Sequence, residues 1–150
     1  MHFNYIIAFT FAAISNVIAG AVPAPPNNGG IMSLEEMKSW VSALPPDEVT
    51  LIGDPFSALS LRSASAVTVT FCSTRSGTTC TGPCHTETIA GGTCVEAPNT
   101  NCIGATGQVT FCDRAGCGGT CNEINSCGTR LENNFCFTPG TKSIGIPAGA

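Results

Sequence analysis

The sequence predicts a small, disulfide-rich, all-β fold built from two repeats of about 40 residues, preceded by a short amphipathic helix. Three observations carry this expectation. All ten cysteines of the 150-residue chain fall between residues 72 and 136, at 72, 80, 84, 94, 102, 112, 117, 121, 127 and 136. Val69-Thr70-Phe71-Cys72 recurs as Val109-Thr110-Phe111-Cys112. Residues 67–71 alternate apolar and hydroxyl side chains with β-branched residues throughout, and 108–111 echo them, as strands do. Composition excludes other classes. Charged residues make up 11% of the chain and the net charge is -4, too few for a charge-driven disordered tail and of the wrong sign for a nucleic-acid binder.

In chain order, residues 5–20 form an apolar stretch and no Asp, Glu, Lys or Arg precedes Glu35, His2 being the sole titratable side chain of the amino-terminal region besides Tyr5. The length fits the hydrophobic region of a secretory signal better than a membrane span of about 20 residues. Val17 and Ala19, or Ala19 and Ala21, stand where a signal peptidase requires small residues, and Pro23, Pro25 and Pro26 stop any continuing helix. The expected organisation is therefore a signal peptide at 1–20, a linker and amphipathic helix at 21–65, and the duplicated cysteine domain at 66–150. Ser33-Leu34-Glu35-Glu36 has the form of a capping box. Leu34, Met37, Trp40, Val41 and Leu44 share one helical face, and Pro45-Pro46 ends the run. A helix of about eleven residues is marginal alone in water, so it is expected to dock on the cysteine domain; a propeptide removed on maturation is the alternative. Arg62 weakly marks such a processing point.

The repeat extends beyond its opening block. Cys80-Thr81-Gly82-Pro83-Cys84 answers Cys117-Gly118-Gly119-Thr120-Cys121. Cys94 with Pro98 and Thr100 answers Cys136 with Pro139 and Thr141, and Asn101-Cys102-Ile103-Gly104 answers Lys142-Ser143-Ile144-Gly145. Four cysteines match in this alignment and two, Cys102 and Cys127, do not. If each repeat closes its own four in the same way, the leftovers pair, which predicts a Cys102–Cys127 bridge joining the repeats. Within the first repeat, 72–84 with 80–94 and 72–80 with 84–94 both remain open. Large side chains for a core are few, so bridges worth about 2–4 kcal/mol each are expected to hold the native state.

These blocks, with Asn134-Phe135-Cys136-Phe137-Thr138-Pro139-Gly140-Thr141, resemble the duplicated cysteine-rich small secreted proteins of basidiomycete fungi over about residues 67–146. That resemblance implies an effector-like protein with no assigned activity. Each repeat is also similar to a βγ-crystallin Greek key, with Cys80-Thr81-Gly82 and Cys117-Gly118-Gly119 at the x-Gly step and Ser143-Ile144 at the closing step. Two such keys imply one β-sandwich. Ala97-Pro98 and Thr138-Pro139 stand where that family's calcium loop needs paired Asn or Asp, so calcium is left out of the expected ligands.

No catalytic, cofactor-binding or metal-binding residue is expected. Downstream of the apolar segment the sole histidine is His85, beside a cysteine expected to be bridged and hence no nucleophile. Cys80, Cys84 and His85 have tolerable zinc spacing, but an even cysteine count in an oxidising compartment favours disulfides. Glu87, Glu96, Asp113, Glu123 and Glu132 are the acids available for glycoside cleavage, and no spacing singles out two. Asp113-Arg114 and Arg130 with Glu132 read as surface ion pairs, and the serines and threonines of 57–70 as O-glycosylation acceptors. The expected protein is secreted, extracellular, monomeric and non-enzymatic, without a membrane span or nucleic-acid partner. It would bind an extracellular protein or cell-wall polymer. A toxin with a propeptide and a protease inhibitor presenting 123–128 or 96–101 are the alternatives.

Overall fold

The computed structural model describes residues 29–62 and 65–149; the expected signal peptide at 1–20 lies outside the described residues. The helix forms where the capping box places it. Helix α1 spans Leu34–Ser42, with Ser33 as N-cap accepting from the Glu36 N–H while the Glu36 carboxylate accepts from the Ser33 N–H. These contacts satisfy donors that a helix start otherwise leaves unpaired. Met37 and Val41 are buried, and Trp40 lies 4.4 Å from Phe135 between ring centroids. The amphipathic face thus covers part of the cysteine domain.

Seven strands follow: β1 (Val49–Ile52), β2 (Val67–Ser76), β3 (Thr79–Ile89), β4 (Cys94–Ala105), β5 (Thr110–Cys112), β6 (Cys121–Glu123) and β7 (Cys136–Gly145). They form one sheet in the order β1-β3-β2-β4-β7-β5-β6. Only β1 pairs in parallel, Val49 standing opposite Cys84. The segment expected as linker and helix therefore also contributes an edge strand. It is tied in at its start as well, where the Met32 N–H donates to Ala105 O at 2.9 Å and the Ala105 N–H donates to Gly30 O at 2.8 Å. Gly30 is required there: its φ is +79°, and a Cβ would meet Ile124 Cγ1 at 2.2 Å.

The alternation in β2 serves two covered faces. Val67, Val69 and Phe71 join a core with Ile89, Ile103, Val109, Ile124 and Ile144. Thr68 and Thr70 are equally buried on the other face, where Thr70 shares a 2.8 Å hydroxyl hydrogen bond with Thr86 and Thr68 another with Thr88. Pairing these hydroxyls across the strands removes the cost of burying them. On the same side Cys72, Cys80, Cys84 and Cys102 pack with Met32, Met37, Val41, Leu131 and Phe135. The buried face of the helix thus belongs to a cluster that includes two disulfides.

The five bridges are Cys72–Cys84, Cys80–Cys102, Cys94–Cys117, Cys112–Cys121 and Cys127–Cys136. Cys72–Cys84 is one of the two pairings left open by the sequence. The expected Cys102–Cys127 bridge does not form. Cys102 stands opposite Cys72 in mid-sheet and bonds Cys80 within the same buried cluster. Cys127 follows the turn Ile124–Ser126, and the Phe137 N–H bond to Thr129 O at 2.8 Å folds that segment back onto Cys136. The joining bridge is Cys94–Cys117 instead.

One residue of spacing explains the error. Cys94 precedes Pro98 by four positions, and Cys136 precedes Pro139 by three. Successive strand residues face opposite sides, so the one-residue difference turns the two cysteines to opposite faces. Cys136 is fully buried, and Cys94 is exposed and bonds outward to Cys117.

Candidate binding groove

Strands β4 and β7 both turn sharply part-way along. Pairing shifts on either side of Thr100, which stands opposite Thr141. The residue before each threonine has left-handed backbone, Asn99 at φ 57° and Gly140 at φ 79°. Asparagine and glycine are the residues that enter this region most cheaply. Pro98 and Pro139 precede them and are exposed. The two Pro-x-Thr corners therefore stand side by side.

Three clefts adjoin these corners. A cavity of about 300 Å³ lies between them, lined by Ser73, Asn99, Thr100, Asn101, Gly140, Thr141 and Lys142. On one side a cavity of about 320 Å³ is bounded by Phe71, Cys72, Ser73, Pro83, His85, Pro98, Asn99 and Thr100. On the other, a cavity of about 110 Å³ is bounded by Phe111, Cys112, Asp113, Thr120, Asn122, Pro139, Gly140 and Thr141. Shared wall residues join them into one groove. A fourth cleft of about 270 Å³ prolongs it past Phe71, His85 and Pro98 toward Ile52, Glu87 and Glu96.

The groove wall is aromatic, amide and hydroxyl. His85 stands opposite Phe71 across the β2–β3 ladder and stacks on it, ring centroids 5.4 Å apart. Phe111 stands opposite Asn122 across the β5–β6 ladder. Asn101 Nδ2 donates to Ser73 O, and the Thr141 hydroxyl donates to Thr138 O at 2.8 Å. The Asp113 carboxylate accepts from the Thr120 N–H at 2.9 Å, a local loop bond instead of the expected ion pair with Arg114. Burial pushes the Glu87 carboxyl above its ordinary range, with His85 opposing the shift. Glu96 accepts from the Gly116 N–H at 2.8 Å.

The remaining candidates are dispersed. Glu87 and Glu96 share the fourth cleft, whereas Glu123 is on β6 and Glu132 lies elsewhere, accepting from Thr79 and Thr78 hydroxyls that hold its carboxyl below the usual range. His85 is a groove residue and not a zinc partner of Cys80 and Cys84, since both thiols are in disulfides. Cys72, Cys80 and Cys102 bring three sulfurs within 4.8 Å of one another, but bridged sulfur is not the thiolate that metals require. In the 123–128 segment Ile124 is fully buried, while Glu123, Asn125, Ser126 and Gly128 are exposed. Sequence reasoning passed over Phe71, Phe111, Asn99 and Asn122 as wall residues. The repeated Pro-x-Thr at 98–100 and 139–141 was the signal for the corners.

Among the described residues no helix is long and apolar enough to cross a membrane. No protein-family model, curated protein or solved structure matches this chain, so a functional reading rests on its geometry.

Proposed function

We propose that the chain is a secreted, non-enzymatic, monomeric binding module that arose by duplication and takes an extracellular target along this groove. The observation that carries the reading is the correspondence between the two flanking clefts. Phe71, Cys72, Ser73, Pro83, His85, Pro98, Asn99 and Thr100 on one side have counterparts, in chain order, in Phe111, Cys112, Asp113, Thr120, Asn122, Pro139, Gly140 and Thr141 on the other.

Strand pairing supports the same duplication. Phe71 opposite Ile103 and Cys72 opposite Cys102 correspond to Phe111 opposite Ile144 and Cys112 opposite Ser143. Between the halves, Val95–Ile144 and Glu96–Ser143 correspond to Cys136–Ile103 and Phe137–Cys102, and Thr100–Thr141 maps onto itself. This is the pattern of a local two-fold axis through the central cleft. Ser143, in the place of Cys102, accepts from the Cys117 N–H at 2.9 Å where the first half has its Cys80–Cys102 bridge. The Greek-key description of each half belongs to this proposal.

Five disulfides favour an oxidising compartment and hence secretion. The test is retention of the purified mature protein on insoluble cell-wall polymer, with soluble reducing ends assayed in parallel. The reading predicts retention without release of product, weakened by His85→Ala. Steady product release would contradict it.

A further inference from the structure

We propose that the two flanking clefts are separate subsites for a neutral oligosaccharide, so that one molecule holds two glycan segments running in opposite directions. This rests on the binding-module reading and names its ligand class. Three properties of the walls point to a sugar. Each cleft has an aromatic plate, His85 backed by Phe71 in one and the half-buried Phe111 in the other. Such a plate accepts the apolar C–H face of a sugar ring. Beside the plates stand the exposed amides of Asn99 and Asn122, whose paired donor and acceptor suit vicinal hydroxyls.

Charge argues in the same direction. Besides His85, the three clefts around the corners contain one basic side chain, Lys142, and one carboxylate, Asp113, already engaged by the Thr120 N–H, and the cleft that prolongs them adds Glu87 and Glu96. Neither a phosphate-bearing polymer nor a polyanionic glycan finds a matching field there. The cavity of about 320 Å³ lies just inside the roughly 300 Å³ lower end of ordinary ligand pockets, and that of about 110 Å³ well below it. Each therefore suits one or two rings of an open chain.

The local two-fold sets the stoichiometry. A glycan has a reducing and a non-reducing end, so a chain filling one subsite in its preferred sense meets the other reversed. Two short ligands bind, one per flank, and the wider His85 subsite binds more tightly than the narrower one beside Asn122.

The experiment is calorimetric titration of the intact disulfide-bonded protein with tetramers of β-1,3-linked glucose, β-1,4-linked glucose, β-1,4-linked N-acetylglucosamine and α-linked mannose. At least one is expected to bind with two sites of unequal affinity. His85→Ala should weaken the tighter site about tenfold, roughly 1.4 kcal/mol, and leave the other. Asn122→Ala should do the reverse, and Leu59→Ser, at an exposed position that lines none of the clefts, should change neither. Near-ultraviolet circular dichroism confirms that each variant is folded. A single site abolished by either substitution would overturn the two-subsite arrangement. Absence of binding to every neutral tetramer, with His85-dependent binding to a protein or a charged polymer, would overturn the sugar assignment and leave the module reading standing. Cleavage of a tetramer, lost in Glu87→Gln, would overturn the module reading itself.

Discussion

Asn99 and Gly140 do the same backbone work with different side chains, and their exchange is informative. A Cβ at Gly140 would meet nothing within 4 Å, so Gly140→Ala isolates the strain of left-handed backbone. It is expected to cost about 1 kcal/mol in urea unfolding, with Gly140→Asn costing less. Glu36 and Glu87 titrate in opposite senses. The Ser33 N–H and hydroxyl hold the Glu36 carboxyl below its ordinary 4.5. Its contribution is present above that value and lost as pH falls through the lowered folded value. Ser33→Ala should therefore cost about 1 kcal/mol at neutral pH and flatten the acid limb of a Tm-against-pH curve only in part, because the residue-33 N–H remains to hold the Glu36 carboxylate. Burial raises the Glu87 carboxyl, so its protonated form suits the fold, and stability declines as pH rises through the raised value. Glu87→Gln should raise Tm at neutral pH and leave it unchanged well below pH 4.

Helix α1 packs on the disulfide cluster and on Phe135, and the segment before it bonds to Ala105 at the end of β4. Met37 is fully buried against the disulfide cluster, so Met37→Ala should cost about 2–4 kcal/mol by thermal or urea unfolding. The helix was legible because every determinant is local: a cap, a capping partner three residues on, a 3.6-residue stripe and a proline stop. Strand β1 was not. Its four residues Val-Thr-Leu-Ile show no buried-exposed alternation, and their pairing with β3 is parallel and distant in sequence. The corners of β4 and β7 were half legible. Their Pro-x-Thr repeat is visible in the chain, but the groove arises only when two non-adjacent strands pair through Thr100 and Thr141.

For the whole molecule, the strand-rich, disulfide-stapled character followed from cysteine number and β-branched patterning, and the connectivity did not. Matching cysteines by order assumed that like positions make like bonds. The single-residue difference in spacing ahead of Pro98 and Pro139 accompanies an exposed Cys94 and a buried Cys136, and Cys117, whose N–H donates to the Ser143 hydroxyl, bonds Cys94. Cys94–Cys117 spans 23 residues, the longest separation of the five. Cys94→Ser with Cys117→Ser should therefore cost about 3 kcal/mol, more than the 9-residue Cys112–Cys121 loop removed in the same way.

That two like halves meet across Thr100 and Thr141 is the claim on which the groove, its paired clefts and the ligand assignment depend. Disulfide mapping of the unreduced mature protein by mass spectrometry tests it most directly. The account predicts the five bridges of the structure, with Cys94 joined to Cys117 and Cys72–Cys84 matched by Cys112–Cys121. Cys94 bonded to Cys80 or Cys84 would mean that the halves close separately, and Cys102 bonded to Cys127 would require a different pairing across the sheet; either result would contradict the arrangement on which the groove depends.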